Sequence, residues 1–327
     1  MSLLSGKSVM VTGATGSFGK RLIRLLLDQY DPKSVIAFSR DELKQYQLQQ
    51  LIPSSKLRFF LGDVRDKERL YRATDGVDVV IHAAAMKQVS ASELNPMEAI
   101  KTNIIGAENV VNACIDQGVH KVIALSTDKA ANPANLYGAT KLCADKLFIA
   151  ANALSARHRT RFSIVRYGNV IGSRGSAIPF FMQMRPSGII PITDPRMTRF
   201  WITLTQGTKF VIDSLDSMRG GEIFVPKIPS MKVVDVARVV APECKTKIIG
   251  IRPGEKLHEI MITKDDAINT AEFASHFAIQ PAANWWDKLQ YLNETGARQV
   301  SEDFQYSSDN NPDWMRSEEH TSELQSH

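Results

Sequence analysis

The sequence has few cysteines, no long apolar run and no concentration of charge of one sign, and each shortage excludes a class of protein. Three cysteines, Cys114, Cys143 and Cys244, are too few and too scattered for a disulfide framework or a zinc site. Each falls in an apolar stretch, where a buried free thiol is expected. No apolar run approaches the ~20 residues that a membrane-spanning helix needs, and the first residues lack a charged-then-apolar signal pattern. The expected setting is the reducing cytoplasm, with no membrane partner. Lys and Arg total 40 against 35 Asp and Glu, a net charge of +5 without clustering. Nucleic-acid binding needs clustered basic residues, so no nucleic-acid partner is expected; an anionic small ligand such as a nucleotide diphosphate accounts for the bias. His258 and Glu259 are adjacent, but no second His or carboxylate stands at ligand spacing, so no metal is expected.

What is present is a regular alternation. A chain of 327 residues suits one large or two smaller domains. Its first half alternates β-branched runs over 9–12, 35–38, 57–61, 77–82, 119–125 and 162–167 with helical patterns such as 20–29 and 99–117. This predicts an α/β fold, a Rossmann-type doubly wound parallel sheet, over 1–168. After Gly168 the texture turns to more Gly, Pro and Arg, with loops over 173–195 and 226–230 around small elements. That predicts a smaller C-terminal substrate-binding lobe over 169–315, interleaved with the first domain, and a ligand site between the two. The polar, aperiodic run 316–327 looks like the in-frame translation of a sequencing adapter, which would displace the native end, and is set aside from the fold.

Val9-Met-Val-Thr-Gly13-Ala-Thr15-Gly16-Ser17-Phe18-Gly19 runs from a strand through a glycine-punctuated turn into an amphipathic helix. Such a turn lets the backbone approach a pyrophosphate, whose charge the helix N-terminus favours. An NAD site usually carries an acid at the end of the second strand. Here the sequence is Ser39-Arg40-Asp41-Glu-Leu-Lys44. Arg40 can fork onto a 2′-phosphate and Lys44 adds charge, which favours NADP. Asp41 is the competing signal, although it also suits a cap for the next helix. Asp63-Val64, after the third strand, could hold an adenine ring, with Asp63 as a helix cap before Lys67 the alternative. Ala83-Ala-Ala85 would let a cofactor approach the sheet edge, and equally suits plain packing.

Tyr137-Gly-Ala-Thr-Lys141 puts a phenol and an ammonium on one helical face, just after Ser126-Thr127 ends a strand. A phenol with a pKa of about 10 is a poor base near neutrality, and a nearby cation favours the phenolate. The alternative is a surface Tyr–Lys pair.

Together, the glycine turn, Tyr-x-x-x-Lys and Arg166-Tyr-Gly-Asn169-Val resemble the extended short-chain dehydrogenase/reductase superfamily. Ser39-Arg-Asp-Glu-Leu-Lys44, His82-Ala-Ala-Ala-Met86-Lys87, Thr127-Asp128-Lys129 and Arg252-Pro-Gly-Glu255-Lys-Leu-His-Glu259 resemble its inverting UDP-N-acetylglucosamine 4,6-dehydratases, from about Ser5 to Trp314. The resemblance implies that the substrate is UDP-N-acetylglucosamine and the product the first intermediate of pseudaminic acid. It implies that Tyr137 takes the 4-hydroxyl proton as hydride leaves C4, with Thr127 orienting that hydroxyl. Lys129 would then remove the C5 proton, which requires a neutral lysine with a depressed pKa. A protonated Asp128 would help the C6 hydroxyl leave. Retaining relatives typically have Asp-Glu where this chain has Asp128-Lys129. How the three residues share protons stays open.

By family position, Met86 and Lys87 would meet cofactor and sugar, Asn169 and Arg174 the nucleotide diphosphate, and Arg252 and Glu255 phosphate or uridine ribose. For each arginine a surface salt bridge is the alternative. The competing functions are a retaining dehydratase or 4-epimerase, and a non-catalytic NADP-sensing regulator. The superfamily commonly associates, so a homo-oligomer, hexameric in the family resembled, is expected through the apolar face over 142–153.

Overall fold

The computed structural model describes residues 3–155, 160–173 and 175–315; Arg174 and the run 316–327 lie outside the described residues. Six strands form where the β-branched runs predict them: β1 (Ser8–Thr12), β2 (Ser34–Ser39), β3 (Leu57–Leu61), β4 (Val79–His82), β5 (Lys121–Thr127) and β6 (Arg161–Tyr167). They pair in parallel in the order β3-β2-β1-β4-β5-β6. The order switches direction between β1 and β4, and ligands bind at such a switch, beyond the strands' carboxyl ends. Every residue of β1 is buried, as a central parallel strand requires.

Beyond 168 the chain leaves this sheet and later returns to it. Strand Ile223–Pro226 pairs in parallel with β6, and three antiparallel strands, His276–Ile279, Thr270–Glu272 and Arg298–Gln299, extend the edge to ten. The main core therefore draws on residues from Leu4 to Tyr306. A second, smaller core forms around Ile171, Phe181, Trp201, Met231 and Val236. The smaller lobe is thus built from two excursions, one on each side of the visit to the sheet at Ile223–Pro226.

Two local expectations are corrected. The pattern over 99–117 predicts one helix, but the chain forms Pro96–Ile100, a π turn over Lys101–Ile105, and then Gly106–Asp116. The wider turn shifts the register and buries Thr102 and Asn103. Among the cysteines only Cys114 is buried; Cys143 is exposed and Cys244 intermediate. Helix Leu136–Leu154 buries Thr140, Lys141, Ala144, Asp145 and Phe148, which leaves Cys143 on its opposite face. Among the described residues no helix is long and apolar enough to cross a membrane, and no cluster of three or more His, Cys, Asp or Glu could hold a metal ion.

His82, at the end of β4, is buried against Phe148. The Thr12 hydroxyl oxygen accepts from the amides of Ala83 and Ala84 at 3.1 and 3.2 Å, so its proton is free for His82 Nδ1 at 2.9 Å. Burial, aided by the Lys141 charge, pushes the imidazole down to about 3. Unfolded, His82 gains a proton as pH falls through ~6.5, while the folded form resists until far lower, so acid favours the unfolded chain in between. Going from pH 7 to 4.5, His82→Gln is expected to lose ~2–3 kcal/mol less stability than wild type in urea melts. Equal losses in both proteins would refute this account of His82.

Candidate active site

One cleft of about 1250 Å³ runs from the glycine turn to the smaller lobe. Sites for single small ligands measure ~300–1,000 Å³, so this one has room for two ligands side by side. Gly13, Thr15, Gly16, Ser17, Phe18, Gly19, Ser39, Arg40, Asp41, Lys44, Asp63, Val64, Ala83 and Lys87 all line it, as do Thr127, Asp128, Lys129, Tyr137 and Lys141. Gly13 has a φ of +66°, and a Cβ there would stand 2.8 Å from the Ala83 carbonyl oxygen. Only glycine lets β1 turn this tightly beside the loop after β4. The helix that follows, Ser17–Gln29, starts at Gly16 with no side-chain cap. This cradle, next to the small residues Ala83–Ala85, fits a dinucleotide pyrophosphate.

The acids beyond β2 and β3, Asp41 and Asp63, have separate roles. Asp41 caps helix Glu42–Leu51, accepting from the Lys44 amide at 2.9 Å, and also pairs with the Lys44 ammonium. Asp63 caps no helix; Asp66 caps Lys67–Thr74, which corrects that alternative. Asp63 instead accepts from Arg65 Nε and Nη2 at 3.1 and 2.8 Å and lies 3.6 Å from Arg40. Partial burial opposes its ionisation, but bonds from the Arg65 side chain and amide hold its carboxyl below the usual range.

The reactive residues converge through a close helix contact. The turn Asp128–Ala130 follows β5 directly, and the helix carrying Tyr137 and Lys141 starts at Leu136, capped by the Asn135 side chain accepting from the Gly138 amide at 2.8 Å. A Cβ on Gly138 would run into the Lys129 carbonyl, so this glycine lets Tyr137 sit against the Asp128–Lys129 turn. Asp128 is fully buried; its Oδ1 accepts from Thr127 Oγ1 at 2.9 Å and Lys129 Nζ at 3.1 Å, while Oδ2 has no hydrogen-bond partner.

The charges differ from the sequence expectation at two points. Burial works to lower the Lys129 pKa, but the carboxylates of Asp128 and Glu259, each 3.1 Å from Nζ, outweigh it and raise the pKa. The expected neutral lysine is therefore an ammonium in the ligand-free chain. Burial pushes the Tyr137 phenol up to about 12, against the Lys129 charge and a hydrogen bond with Thr127. Lys129 is thus a cation acting on the phenol, one that the four-residue spacing to Lys141 does not point to. Lys141 is buried, which lowers its pKa, and Asp145 one turn further on opposes that. Asp145 in turn accepts from Ser126 Oγ at 2.7 Å and Arg166 Nη2 at 3.4 Å.

The family described as polysaccharide biosynthesis protein matches residues 9–281. The chain belongs to the polysaccharide biosynthesis protein family. It is similar to a UDP-N-acetylglucosamine 4,6-dehydratase (inverting) from Campylobacter jejuni subsp. jejuni serotype O:23/36 (strain 81-176), 55% identical over 97% of each chain. A UDP-glucose 4-epimerase from Rickettsia canadensis (strain McKiel) is 39% identical over 84% of this chain and 82% of its own. The X-ray structure of Pen from Bacillus thuringiensis has a TM-score of 0.89 at 36% identity, covering 98% of both chains. Within the polysaccharide biosynthesis family, the dehydratase resemblance carried by Asp128-Lys129 thus extends over nearly the whole chain, and the Rossmann-type α/β fold expected from the strand pattern is shared.

Substrate-side candidates of this family member fare unevenly. Asn169, Arg252 and Glu255 line the cleft, with Arg252 Nη1 3.9 Å from Glu255 Oε1. Met86 does not line it: its main-chain N–H and C=O are both bonded to the Asn103 side chain, at 2.8 and 2.9 Å. Asn103 also donates to Thr140 Oγ1 at 3.0 Å, so it ties the loop after β4 to the Tyr137 helix. Sequence pattern missed Asn103, whose placement depends on the π turn. It also missed Arg199, Lys256 and a non-metal role for Glu259, which long-range folding brings to Lys129.

Proposed function

We propose that this chain, a hydro-lyase of the inverting UDP-N-acetylglucosamine 4,6-dehydratase type, converts UDP-N-acetylglucosamine to UDP-2-acetamido-2,6-dideoxy-beta-L-arabino-hex-4-ulose. The observation that carries this is that an acid–base pair, Asp128 and Lys129, lines the same two-ligand cleft as the Tyr137 phenol, on which the Lys129 charge acts. Bound NADP⁺ would supply hydride acceptance from C4 and return to C6. Thr127 orients the 4-hydroxyl and Tyr137 takes its proton. The 4-ketone acidifies the C5 proton, which Lys129 removes after passing its own proton to Asp128, and Asp128 gives that proton to the departing C6 hydroxyl, which leaves as water. As hydride returns to C6, a solvent-derived proton adds to C5 from the face opposite Lys129, which gives inversion. Such a product suits pseudaminic acid formation in the cytoplasm, by a homo-oligomer. Lys87, Asn169, Arg252 and Glu255 are the substrate contacts.

The charges at the end of β2 support NADP rather than NAD. The acid Asp41 is occupied in capping its own helix, and the Arg40 side chain is 63% exposed beside Ser39 on the cleft wall. Arg40→Ala is expected to weaken NADP⁺ binding by ~10–100-fold, and NAD⁺ binding hardly at all. Calorimetry checks this, and equal weakening for both cofactors would exclude a 2′-phosphate role.

The function is tested by incubating the chain with UDP-N-acetylglucosamine and NADP⁺ and following the sugar by NMR. A C6 methyl signal with inverted C5 is expected. Retained C5 or a 4-epimer would assign one of the competing sugar-nucleotide reactions, and bound NADP⁺ with unchanged sugar would favour the regulator.

A further inference from the structure

Glu259 lies far along the chain from Lys129, at the start of strand Ile260–Ile262, yet its carboxylate reaches into the reactive cluster. It is 2% exposed, with Oε1 3.1 Å from Lys129 Nζ and Oε2 without a hydrogen-bond partner. Its backbone is held firmly. The Glu259 amide donates to Ser308 Oγ at 2.9 Å, and the Ser308 amide donates to the Glu259 carbonyl at 2.8 Å. Arg199 clamps the preceding loop, donating from Nη1 to the carbonyls of Thr198 and Leu257 at 2.7 and 3.1 Å and from Nη2 to Lys256 at 3.0 Å. Arg199 Nε and Lys256 Nζ also face the Glu259 carboxylate, at 3.8 and 3.9 Å.

We propose that Glu259 is a positioning residue for the dehydration step, holding the Lys129 side chain against the Asp128 turn and setting the pH at which Lys129 can accept a proton. The inference rests on the proposed function, in which Lys129 acts at C5. The groups facing Lys129 are Asp128 and Tyr137 from its own lobe, and Glu259, Arg199 and Lys256 from the far side. Of these, Asp128 changes its proton during water loss, so it cannot hold a constant charge beside Lys129. Glu259 takes no part in the bond changes and supplies a fixed one. Opposite charges at this distance raise a cation's pKa by ~1–3 units, enough to decide whether Lys129 is acid or base at working pH.

The ¹³Cε signal of Lys129 in isotopically labelled protein, assigned with Lys129→Arg, reports its charge without any substrate. In the wild type it is expected to remain that of an ammonium at pH ~10.4, where an ordinary lysine is half deprotonated. Glu259→Gln should bring the titration down by ~1–3 pH units, and Glu259→Asp should restore most of the difference. During turnover the acid limb of kcat should move down by the same amount in Glu259→Gln, with KM changing less than kcat. A wild-type Lys129 that titrates at or below the ordinary value overturns the proposal, whether or not the variants fold. So does an unmoved titration in Glu259→Gln. The titration uses no sugar, so a failure of the dehydratase function would appear in the product NMR alone.

Discussion

Replacing Tyr137 with phenylalanine is expected to lower kcat by ~10²–10⁴ while leaving NADP⁺ affinity and stability near wild type. Thr127 and Lys129 favour the phenolate at this position and Asp128 opposes it, and phenylalanine keeps the ring while deleting the proton acceptor. In the free chain burial holds this phenol near 12, so only a small fraction is phenolate at neutral pH. A base with a raised pKa works better as pH rises, so kcat/KM of the wild type should keep climbing from pH 6 to 9 without a plateau. The residual activity of Tyr137→Phe should lack the part of that slope that belongs to the phenol. Steady-state kinetics across this range settle it. Activity within threefold of wild type would remove Tyr137 from the proton path.

How much of this was legible in the sequence depends on how far apart the partners lie along the chain. The parallel sheet, the glycine turn and the Asp128–Lys129–Tyr137–Lys141 set were legible because their geometry is local: a strand end, a short turn and one helical face. Even there, helical spacing points Tyr137 to Lys141 alone and gives no sign of Lys129 beside the phenol. The four-residue repeat sets side-chain direction, but the fold of the turn decides that Lys129 acts on the phenol. Glu259, Arg199 and Lys256 reach the site only because segments beyond the parallel sheet's first six strands fold back to the Asp128–Lys129 turn, and no periodicity encodes that. Asn103 was hidden for another reason: a π turn adds one residue to a helix turn and so moves a polar side chain to a face that the regular period assigns to others.

The second large effect is expected at Lys129. Lys129→Met keeps the length and apolar stem of the side chain but removes its charge, so the cleft keeps its shape. It leaves two carboxylates, Asp128 and Glu259, facing each other's field with only Arg199 and Lys256 to balance them. The cofactor cradle at Gly13 lies elsewhere, so NADP⁺ affinity of the folded variant by calorimetry should stay within ~threefold of wild type. Chemistry at C5 has no such substitute. The proton acidified by the 4-ketone needs a base within reach, and loss of it is expected to cut formation of the C6 methyl product by ~10²–10⁴. Carried out in deuterated water, the wild-type reaction should place deuterium at C5, and the variant should leave C5 unexchanged. If Lys129→Met still exchanged C5 at the wild-type rate, the base would have to be sought among Asp128, Glu259 and Tyr137, and the distinction between this chain and an Asp-Glu dehydratase would lose its chemical basis.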